Sequence, residues 1–320
     1  MRVVVTGAAG FIGSNLCDAL LASGHDVVGI DDFSTGRRQF LALASQHPSF
    51  ELRELDLYGA PDLADHLAGT DAVVHLAANA DVRFGWSAPR RDLEQNVVVT
   101  HSLLEAARQA AVPRFMFSST GSVYGDAAMI PTPEDCPFPR QTSLYGASKL
   151  AAEAYIEAYA EGAGLTTTVF RFVSNLGPRY THGHVFDFVR SLRADTTRLT
   201  ILGDGTQRKS YLDVSDCVAA MIGLLDRRGG HEVFNLGVDG YCDVASSARW
   251  ICERLGCDPH IEYTGGRRGW IGDNPFIYLD TARIRATGWT PRYGIREAIE
   301  RTVDYLTDNE WLLRDGGQAG

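Results

Sequence analysis

The sequence predicts an α/β protein with a Rossmann-type, doubly wound parallel sheet and a smaller C-terminal α/β lobe. Three observations support this fold class. Short β-branched or aromatic runs alternate with helical patterns through the first half of the chain. The first run is followed at once by a glycine-rich turn and an apolar helix pattern, and the second run ends in Asp31-Asp32. Alternation of this kind produces βαβ units, which assemble into a parallel sheet.

The expected elements follow in chain order. Strands are predicted at the β-branched or aromatic runs 2–6, 26–31, 50–55, 72–76, 114–118 and 166–172. Helices are predicted between them, near 11–23, 37–46, 60–68, 90–111 and 144–162. Beyond residue 179 the pattern loosens, with strands at 199–202, 232–236 and 260–263 and helices near 184–194, 214–227, 243–255 and 294–309. We therefore expect a dinucleotide-binding domain over 1–172, to whose sheet later segments return, a substrate-binding lobe over 173–314, and a flexible tail over 315–320.

Composition restricts the classes of function. The chain has 320 residues and a formal net charge of −10, which argues against a nucleic-acid surface and against binding to an anionic membrane. No stretch approaches the ~18 apolar residues of a membrane span, and the apolar run at residues 3–5 is too short for a signal peptide. The six cysteines lack the spacing of a disulfide framework or a zinc site. We expect a cytoplasmic protein without a metal centre.

A dinucleotide site is predicted at the glycine-rich turn. Its spacing is Gly-x-x-Gly-x-x-Gly, through Gly7, Gly10 and Gly13, between the first strand and the first helix. Glycines allow a tight turn and close backbone approach, and the helix N-terminus then binds a pyrophosphate. Asp31, 18 residues after Gly13, would accept hydrogen bonds from the adenosine ribose and repel a 2′-phosphate, which favours NAD. The arginines at 37 and 38 leave NADP open, and a nucleotide-free Rossmann-like fold is a disfavoured alternative.

An acid–base site is predicted further along the chain. Tyr145 and Lys149 are four residues apart in a helical pattern, so they share one helix face. An ammonium beside a phenol favours the phenolate, which would let Tyr145 act as a base. The strand before them ends in Ser118, Ser119 and Thr120, whose hydroxyls we expect to face the ligand crevice. Taken singly, each pattern has an ordinary explanation, a solvated lysine above an aromatic residue or strand-end turn chemistry.

Together these residues make the chain resemble the extended short-chain dehydrogenases/reductases, in the NAD-dependent epimerase/dehydratase family. The resemblance continues through Asp56-Leu57, His75-Leu76-Ala77-Ala78, Asn96, Val123-Tyr124-Gly125, Gly177-Pro178-Arg179 and Gly203-Asp204-Gly205. Within the family the chain most resembles the nucleotide-sugar epimerases of the UDP-glucose (UDP-galactose) 4-epimerase type, especially their compact archaeal members. Residues 180–188 and 266–273 carry this closer likeness.

The resemblance implies a set of site residues. Catalytic roles are implied for Tyr145, Lys149 and Thr120. Cofactor contacts are implied for Gly7, Gly10, Phe11, Ile12, Gly13, Asp31, Asp32, Ser34, Thr35, Gly36, Asp56, Leu57, Leu76, Ala77, Ala78, Asn96, Ser118, Tyr145, Lys149 and Phe172. Substrate contacts are implied for Asn79, Thr120, Ser122, Tyr145, Ser174, Asn175, Arg179, Val185, Phe186, Arg208, Lys209, Arg268 and Asp273. For the aromatic residues of this set, ordinary core packing is an equally good interpretation.

Three positions depart from the family pattern. Ser174 stands where the family usually has an asparagine, and Asn175 follows one position late. Lys209 replaces an arginine and would bind phosphate as a point charge. Gly121-Ser122 follows Thr120, where the family's 4,6-dehydratases carry an Asp-Glu pair. The first two leave the nucleotide and the sugar open, and the third argues against that dehydratase chemistry.

The resemblance therefore implies a nucleotide-sugar 4-epimerase that works through a transient 4-keto sugar with tightly bound NAD. Its implied partners are a UDP-sugar substrate and a second copy of the chain, joined through the helices near 90–111 and 144–162. Other nucleotide-sugar reactions on the same scaffold stay open: uronate or N-acetylhexosamine epimerisation, dehydration and keto-reduction. A non-catalytic dinucleotide sensor is the alternative from a different class of protein.

Overall fold

The computed structural model describes residues 1–80, 85–137, 140–266, 274 and 276–315. Its strands are β1 (Arg2–Thr6), β2 (Asp26–Asp31), β3 (Phe50–Glu54), β4 (Ala72–His75), β5 (Arg114–Thr120), β6 (Thr166–Phe172), β7 (Ser174–Leu176), β8 (Arg198–Ile201), β9 (Arg208–Lys209), β10 (Tyr211–Asp213), β11 (His231–Leu236), β12 (Cys242–Asp243), β13 (His260–Tyr263) and β14 (Phe276–Ile277). Its helices are α1 (Phe11–Ala22), α2 (Leu63–His66), α3 (Pro89–Asp92), α4 (Val99–Gln109), α5 (Leu144–Ala163), α6 (His184–Ala194), α7 (Val214–Gly223), α8 (Val244–Leu255), α9 (Ala282–Arg285), α10 (Ile295–Asp308) and α11 (Trp311–Asp315). A π-helical segment, Leu93–Val98, joins α3 to α4.

Seven parallel strands form the main sheet in the order β11-β6-β5-β4-β1-β2-β3. The predicted fold class is confirmed. The chain builds the sheet outward from β1 in one direction and from β4 in the other, so the strand order reverses between β1 and β4. In such sheets a ligand binds at the carboxyl ends of the strands beside this reversal. The carboxyl ends of β1, β4 and β5 are therefore where a site is expected.

The three valines of β1 explain how the sheet is covered on both faces. Successive side chains of a strand point to opposite faces, so Val3 and Val5 pack on one side and Val4 on the other. All three are fully buried. The first side packs against α1 and α7, and the second against α4 and α5. Burial of each valine stabilises the fold by roughly 1.5–3 kcal/mol.

The smaller lobe has its own apolar core. This core is formed mainly by α6, α8, α10 and the strand β8, with Val185, Leu192, Ile251 and Ile299 among its buried residues. The chain of the proposed 173–314 lobe also returns to the main sheet, where β11 pairs in parallel with β6. Helix α11 ends at residue 315, and residues 316–320 of the expected flexible tail lie outside the described residues.

The helix expected over 90–111 is confirmed as a helical stretch from 89 to 109, but it is not α-helical throughout. Its three consecutive parts are α3, the π-helical segment Leu93–Val98 and α4. Within the segment, the carbonyl of Asn96 accepts a hydrogen bond from the Thr100 hydroxyl at 2.7 Å. A side-chain donor of this kind satisfies a carbonyl where the helix widens, and such bulges occur frequently at functional sites.

The helix expected over 37–46 is wrong, because two 3₁₀ turns occupy that stretch.

Helix α5 has 20 residues and is the longest helix that the structure describes. It carries charged residues along its length, including Lys149, Glu153 and Glu157. Within the described ranges, no helix combines the length and the apolar character that crossing a bilayer requires.

Candidate active site

The glycine-rich turn closes against the ends of β2 and β4. Gly7 has a φ of +68°, and its backbone N–H donates to the carbonyl of Ile30 at 2.8 Å. A Cβ on Gly7 would lie 2.8 Å from the backbone nitrogen of Ala77, and one on Gly13 would lie 2.0 Å from the Gly7 carbonyl oxygen. Only glycine fits these two positions. Helix α1 then begins after Gly10, which has no side chain to cap it, so its first N–H groups face the crevice beside the turn.

The carboxylate of Asp31 is fixed beside this turn. It accepts backbone N–H hydrogen bonds from Ala9 at 2.8 Å and from Phe33 at 2.9 Å. Burial raises the pKa of Asp31, and these two N–H donors oppose that rise. Asp32 instead accepts hydrogen bonds from the backbone and hydroxyl of Ser34 in an exposed turn. Of the two acidic residues, Asp31 is the one placed to hold a ribose at the end of β2.

Both arginines that left NADP open are engaged elsewhere in the structure. The guanidinium of Arg38 pairs with Glu54 on β3 and lies 3.9 Å from the centre of the Phe33 ring. The guanidinium of Arg37 lies 5.9 Å from the centre of the Trp311 ring. Together with the glycine turn and the fixed Asp31 carboxylate, these contacts fit a dinucleotide that carries a free 2′-hydroxyl. The described residues therefore fit NAD.

The three hydroxyls at the end of β5 do not share one direction. Ser118 donates to the carbonyl of His75 at 3.2 Å, and Thr120 lies close enough to the Tyr145 hydroxyl to lower its pKa. Ser119 points to the opposite face, where it donates to the buried carboxylate of Glu153. The expectation that all three face the crevice is wrong for Ser119, because strand side chains alternate.

Tyr145 lies in the first turn of α5. That turn is fixed by its N-cap, since the Ser143 hydroxyl accepts the N–H of Gly146 at 3.0 Å. Burial raises the pKa of Tyr145 to about 12, the nearby Thr120 hydroxyl opposes this rise, and the negative charge of Asp92 adds to it. The phenol is therefore held protonated.

Lys149 lies one helical turn after Tyr145 and is almost completely buried. Its Nζ donates to the carbonyl of Ser118 at 2.9 Å and lies 4.6 Å from the centre of the Phe117 ring. Burial lowers the pKa of Lys149 to about 7, against the opposing effect of Glu153 and Asp92. The ammonium is thus bound at the end of β5, and the expectation that it lowers the pKa of Tyr145 stays a prediction.

Asn96 ties three parts of the site together. It projects from the π-helical segment, and its amide nitrogen donates to the hydroxyl of Ser148 at 2.9 Å and to the carbonyl of Asn79 at 3.2 Å. Its amide oxygen accepts the backbone N–H of Asn79 at 2.9 Å. The Ser148 hydroxyl donates in turn to the carbonyl of Tyr145 at 2.8 Å. Asn96, expected as a cofactor contact, thus cross-links the loop after β4 to α5.

His75 extends this network to the glycine turn. Its Nδ1 lies 2.7 Å from the Thr6 hydroxyl, and its Nε2 lies 3.0 Å from the Thr100 hydroxyl. Because Thr100 donates its own proton to the Asn96 carbonyl, Nε2 of His75 must be the protonated nitrogen. Burial lowers the pKa of His75 to about 3, so the ring is neutral. Sequence reasoning assigned no role to this ring, to Ser148 or to Asp92.

The remaining cofactor residues divide between the crevice and the core. The backbone N–H groups of Leu76 and Ala77 both donate to the Thr6 hydroxyl at 3.2 Å, which fixes the chain after β4. The side chains of Leu57 and Phe172 are buried in the apolar core of the sheet. They support the crevice by packing.

The basic residues expected at a diphosphate lie in different surroundings. Lys209 is half-buried on β9 and donates to the backbone carbonyl of Asn274. Arg208 is exposed and lies 5.7 Å and 5.1 Å from the ring centres of Tyr241 and Phe276. Neighbouring strand residues point to opposite faces, so only one of the two can face a given ligand. Lys209 is the half-buried one.

Arg179 was expected to contact the substrate, but its guanidinium pairs with Asp18 of α1 at 2.6 Å. The structure therefore gives it a role in docking the chain after β7 onto α1. The amide of Asn15 supports the same docking by donating to the Pro178 carbonyl at 3.0 Å. The positive φ of Arg179, 69°, reflects this constrained turn.

The remaining residues expected to contact the substrate differ in how far they are buried. Val185 and Phe186 are buried in the core of the smaller lobe, which agrees with the packing interpretation. Ser174 is exposed and Asn175 is half-buried on the opposite face of β7. Arg268 and Asp273 lie outside the described residues.

Comparison with known proteins finds a matching family model and several similar nucleotide-sugar epimerases. Residues 3–237 match the model of the NAD dependent epimerase/dehydratase family. The UDP-glucose 4-epimerase of Mycolicibacterium smegmatis is 37% identical over 314 residues, covering 96% of this chain and 98% of that protein. A putative UDP-glucose 4-epimerase of Methanocaldococcus jannaschii is 28% identical over 312 residues, covering 96% and 99%. The crystal structure of the UDP-glucuronic acid 4-epimerase from Bacillus cereus with UDP-glucuronic acid and NAD has a TM-score of 0.89 at 28% identity, covering 97% and 100%.

Proposed function

The chain belongs to the NAD-dependent epimerase/dehydratase family, as its sequence motifs predict, and we propose that it interconverts the C4 epimers of a UDP-sugar of the glucose/galactose type. The observation that carries the proposal is the proximity of Thr120, at the carboxyl end of β5, to the phenol of Tyr145. Strand β5 neighbours β4, at which the strand order reverses, and the glycine turn that fits NAD follows β1 on the other side of β4.

NAD is the cofactor of this family. When bound, it supplies the hydride chemistry, by accepting a hydride from the sugar and returning it. In this chain Gly7 and Gly13 let the backbone approach the pyrophosphate, and Asp31 would hold the adenosine ribose. Lys149, at the end of β5, would hold the nicotinamide ribose.

Tyr145 and Thr120 would carry the proton at the C4 oxygen. Tyr145 removes the proton from the sugar hydroxyl, and Thr120 donates a hydrogen bond to the same oxygen. The proton returns by the same route when the opposite epimer forms, so the complete reaction neither releases nor takes up a proton. Because burial holds the phenol protonated, ionisation of Tyr145 sets the low-pH limit of the rate.

Gly121 and Ser122 favour epimerisation over dehydration. Elimination of water needs an acid and a base beside the carbon–oxygen bond that breaks. Neither residue after Thr120 can titrate in that role, because one has no side chain and the other has a neutral hydroxyl.

The UDP moiety is proposed to bind across the smaller lobe. Lys209 would contact the diphosphate as a point charge, since an ammonium lacks the bidentate geometry of a guanidinium. Ser174 and Asn175 lie at the start of this lobe, on β7, and are proposed to contact the same ligand. A neutral hexose is the proposed sugar, with a uronate or an N-acetylhexosamine as the alternative.

A homodimer is also proposed. Leu93, Val98 and Tyr155 are exposed apolar side chains of the π-helical segment and α5, with exposed fractions of 55%, 39% and 46%. Exposed apolar groups on neighbouring helices favour burial against a partner. A second copy of the chain, with its own α4 and α5, is the occupant implied by the family resemblance.

Incubation of the purified protein with a panel of nucleotide sugars tests the proposed function. The expected result is a C4-epimeric product of UDP-glucose or UDP-galactose, with NAD bound to the protein and no net NADH formed. Loss of water measured by mass would identify a dehydratase instead. Binding of NAD without turnover of any sugar would identify a sensor.

A further inference from the structure

Asp92 is a buried carboxylate for which the proposed reaction gives no role. It is the last residue of α3, immediately before the π-helical segment, and only 1% of its surface is exposed. Its Oδ1 accepts a hydrogen bond from the side-chain amide of Asn79 at 2.8 Å and lies 3.5 Å from that of Asn96. A carboxylate so deeply buried is retained only where its partners hold it.

The partners of Asp92 connect it to the proposed catalytic tyrosine. Asn79 and Asn96 are joined to each other by two further hydrogen bonds. Asn96 then donates to Ser148, which donates to the carbonyl of Tyr145. Asp92 therefore lies at one end of a continuous hydrogen-bonded path that ends on the backbone of the first turn of α5.

The charge of Asp92 also acts on the same turn. The titratable groups that face it include Tyr145 and Lys149 of α5, and its negative charge raises the pKa of both. Lys149 in turn faces Glu153 on α5 and His75 on β4. Asp92 thus favours the protonated form of the two α5 residues proposed for catalysis.

We propose that Asp92 is a positioning residue for the acid–base step. Through the two asparagines and Ser148 it fixes the turn that presents Tyr145, and its charge acts on the proton that Tyr145 carries. The inference rests on the proposed epimerase function. It adds a carboxylate that acts through its neighbours Asn79 and Asn96.

The test compares Asp92→Asn with the wild type over a range of pH. The variant removes the charge and keeps the shape of the side chain. We expect kcat to fall by roughly 10- to 100-fold, because small displacements of a reacting group are costly. We expect the low-pH limb of the kcat profile to move to lower pH by about one unit, because a negative charge near Tyr145 is gone. The bound NAD content and the KM for the sugar should change little.

Glu94→Gln is the matched control. It removes a carboxylate two residues away that pairs with the exposed side chain of Arg90 at the surface. We expect wild-type kcat and an unmoved limb. A purely structural role for Asp92 predicts a lower free energy of unfolding in Asp92→Asn with the limb unmoved, and that result would overturn the proposal.

Ser148→Ala keeps the test decisive if Asp92→Asn does not fold. It breaks the path between Asn96 and Tyr145 and leaves the charge of Asp92 in place. We expect kcat to fall about tenfold with the limb unmoved. A wild-type kcat in Ser148→Ala would overturn the inference alone. A wild-type protein that epimerises no sugar would overturn the proposed function and this inference with it.

Discussion

The side chain of Thr120, the last residue of β5, lies close enough to the phenol of Tyr145, in the first turn of α5, to lower its pKa. The two residues are 25 positions apart in the sequence. The main sheet and the helix packed on it bring them together.

Replacing Tyr145 with phenylalanine should abolish most turnover while the protein keeps its NAD. The substitution removes the hydroxyl that exchanges the proton and keeps the ring that packs the turn. We expect kcat to fall by roughly 10²- to 10⁴-fold, the range of acid–base catalysis. Product formation from UDP-glucose measures this, with Tyr263→Phe as control because Tyr263 is an exposed residue of β13. Near-wild-type turnover in Tyr145→Phe would exclude the assigned role.

Replacing Lys149 with methionine should remove activity and stabilise the fold at neutral pH. The pKa of Lys149 is about 7 in the folded protein, against 10.5 as its ordinary value. Below about pH 7 both states hold the proton, and burial of the charge disfavours the folded state. As the pH rises from about 7 to 10.5, only the unfolded state holds the proton, so the wild type gains stability.

Thermal unfolding measures this effect. We expect Lys149→Met to have a Tm above that of the wild type at pH 7, and the difference to shrink as the pH is raised. A variant that is less stable than the wild type by the same amount at every pH would contradict the prediction, because it would mean that the Ser118 hydrogen bond outweighs the burial of the charge.

His184 should make the protein sensitive to acid. His184 is half-buried, its Nε2 lies 2.7 Å from the Ser247 hydroxyl, and desolvation of the ring lowers its pKa to about 3 from 6.5. Between these values the unfolded state takes up a proton that the folded state does not, so stability is lost as the pH falls below 6.5. We expect His184→Gln to reduce the slope of unfolding free energy against pH by about 1.4 kcal/mol per unit.

Urea unfolding from about pH 4 to about pH 7, which covers most of the interval between the two pKa values, measures the slope of unfolding free energy against pH. The control is His260→Gln, since His260 is exposed on β13. An identical slope in His184→Gln and the wild type would show that the ring does not titrate on unfolding.

Tyr155→Arg should separate the proposed dimer. Tyr155 is exposed on α5 and packs edge-on against His101 of α4, with ring centres 5.4 Å apart. A charge buried in an interface without a partner is strongly unfavourable. Analytical ultracentrifugation should find a dimeric wild type and a monomeric variant. Tyr263→Arg is the matched control, and a monomeric wild type would end the dimer proposal.

The sequence was sufficient for features that depend on local pattern. The β-branched run at 2–6 predicted a strand, which the structure contains as β1, and the spacing of Gly7 and Gly13 predicted a tight turn, which the structure also contains. The helix over α5 was predicted to within two residues, because its cap and its apolar spacing lie within one segment. Strands of two or three residues, such as β9 and β10, were missed because so short a run has no period.

Features that depend on distant partners were not predictable. The buried carboxylate of Glu153 binds the guanidinium of Arg171 at 2.6 Å and accepts the Ser119 hydroxyl from another strand. No spacing in the sequence joins these three residues. The π-helical segment is a similar case, because the Thr100 and Asn96 contact that accompanies it is read only from the folded chain. The hydrogen bond from Lys149 to the Ser118 carbonyl was not predictable for the same reason, because it joins a helix to a strand residue 31 positions earlier.

The most direct test of the account uses UDP-glucose labelled with deuterium at C4. Hydride removal and return at one carbon, with Tyr145 and Thr120 carrying only the hydroxyl proton, predicts UDP-galactose that retains the deuterium at C4. NMR of the product measures both the configuration and the label. UDP-galactose whose C4 deuterium has been replaced by solvent hydrogen, or no UDP-galactose from a protein that holds NAD, would contradict the account.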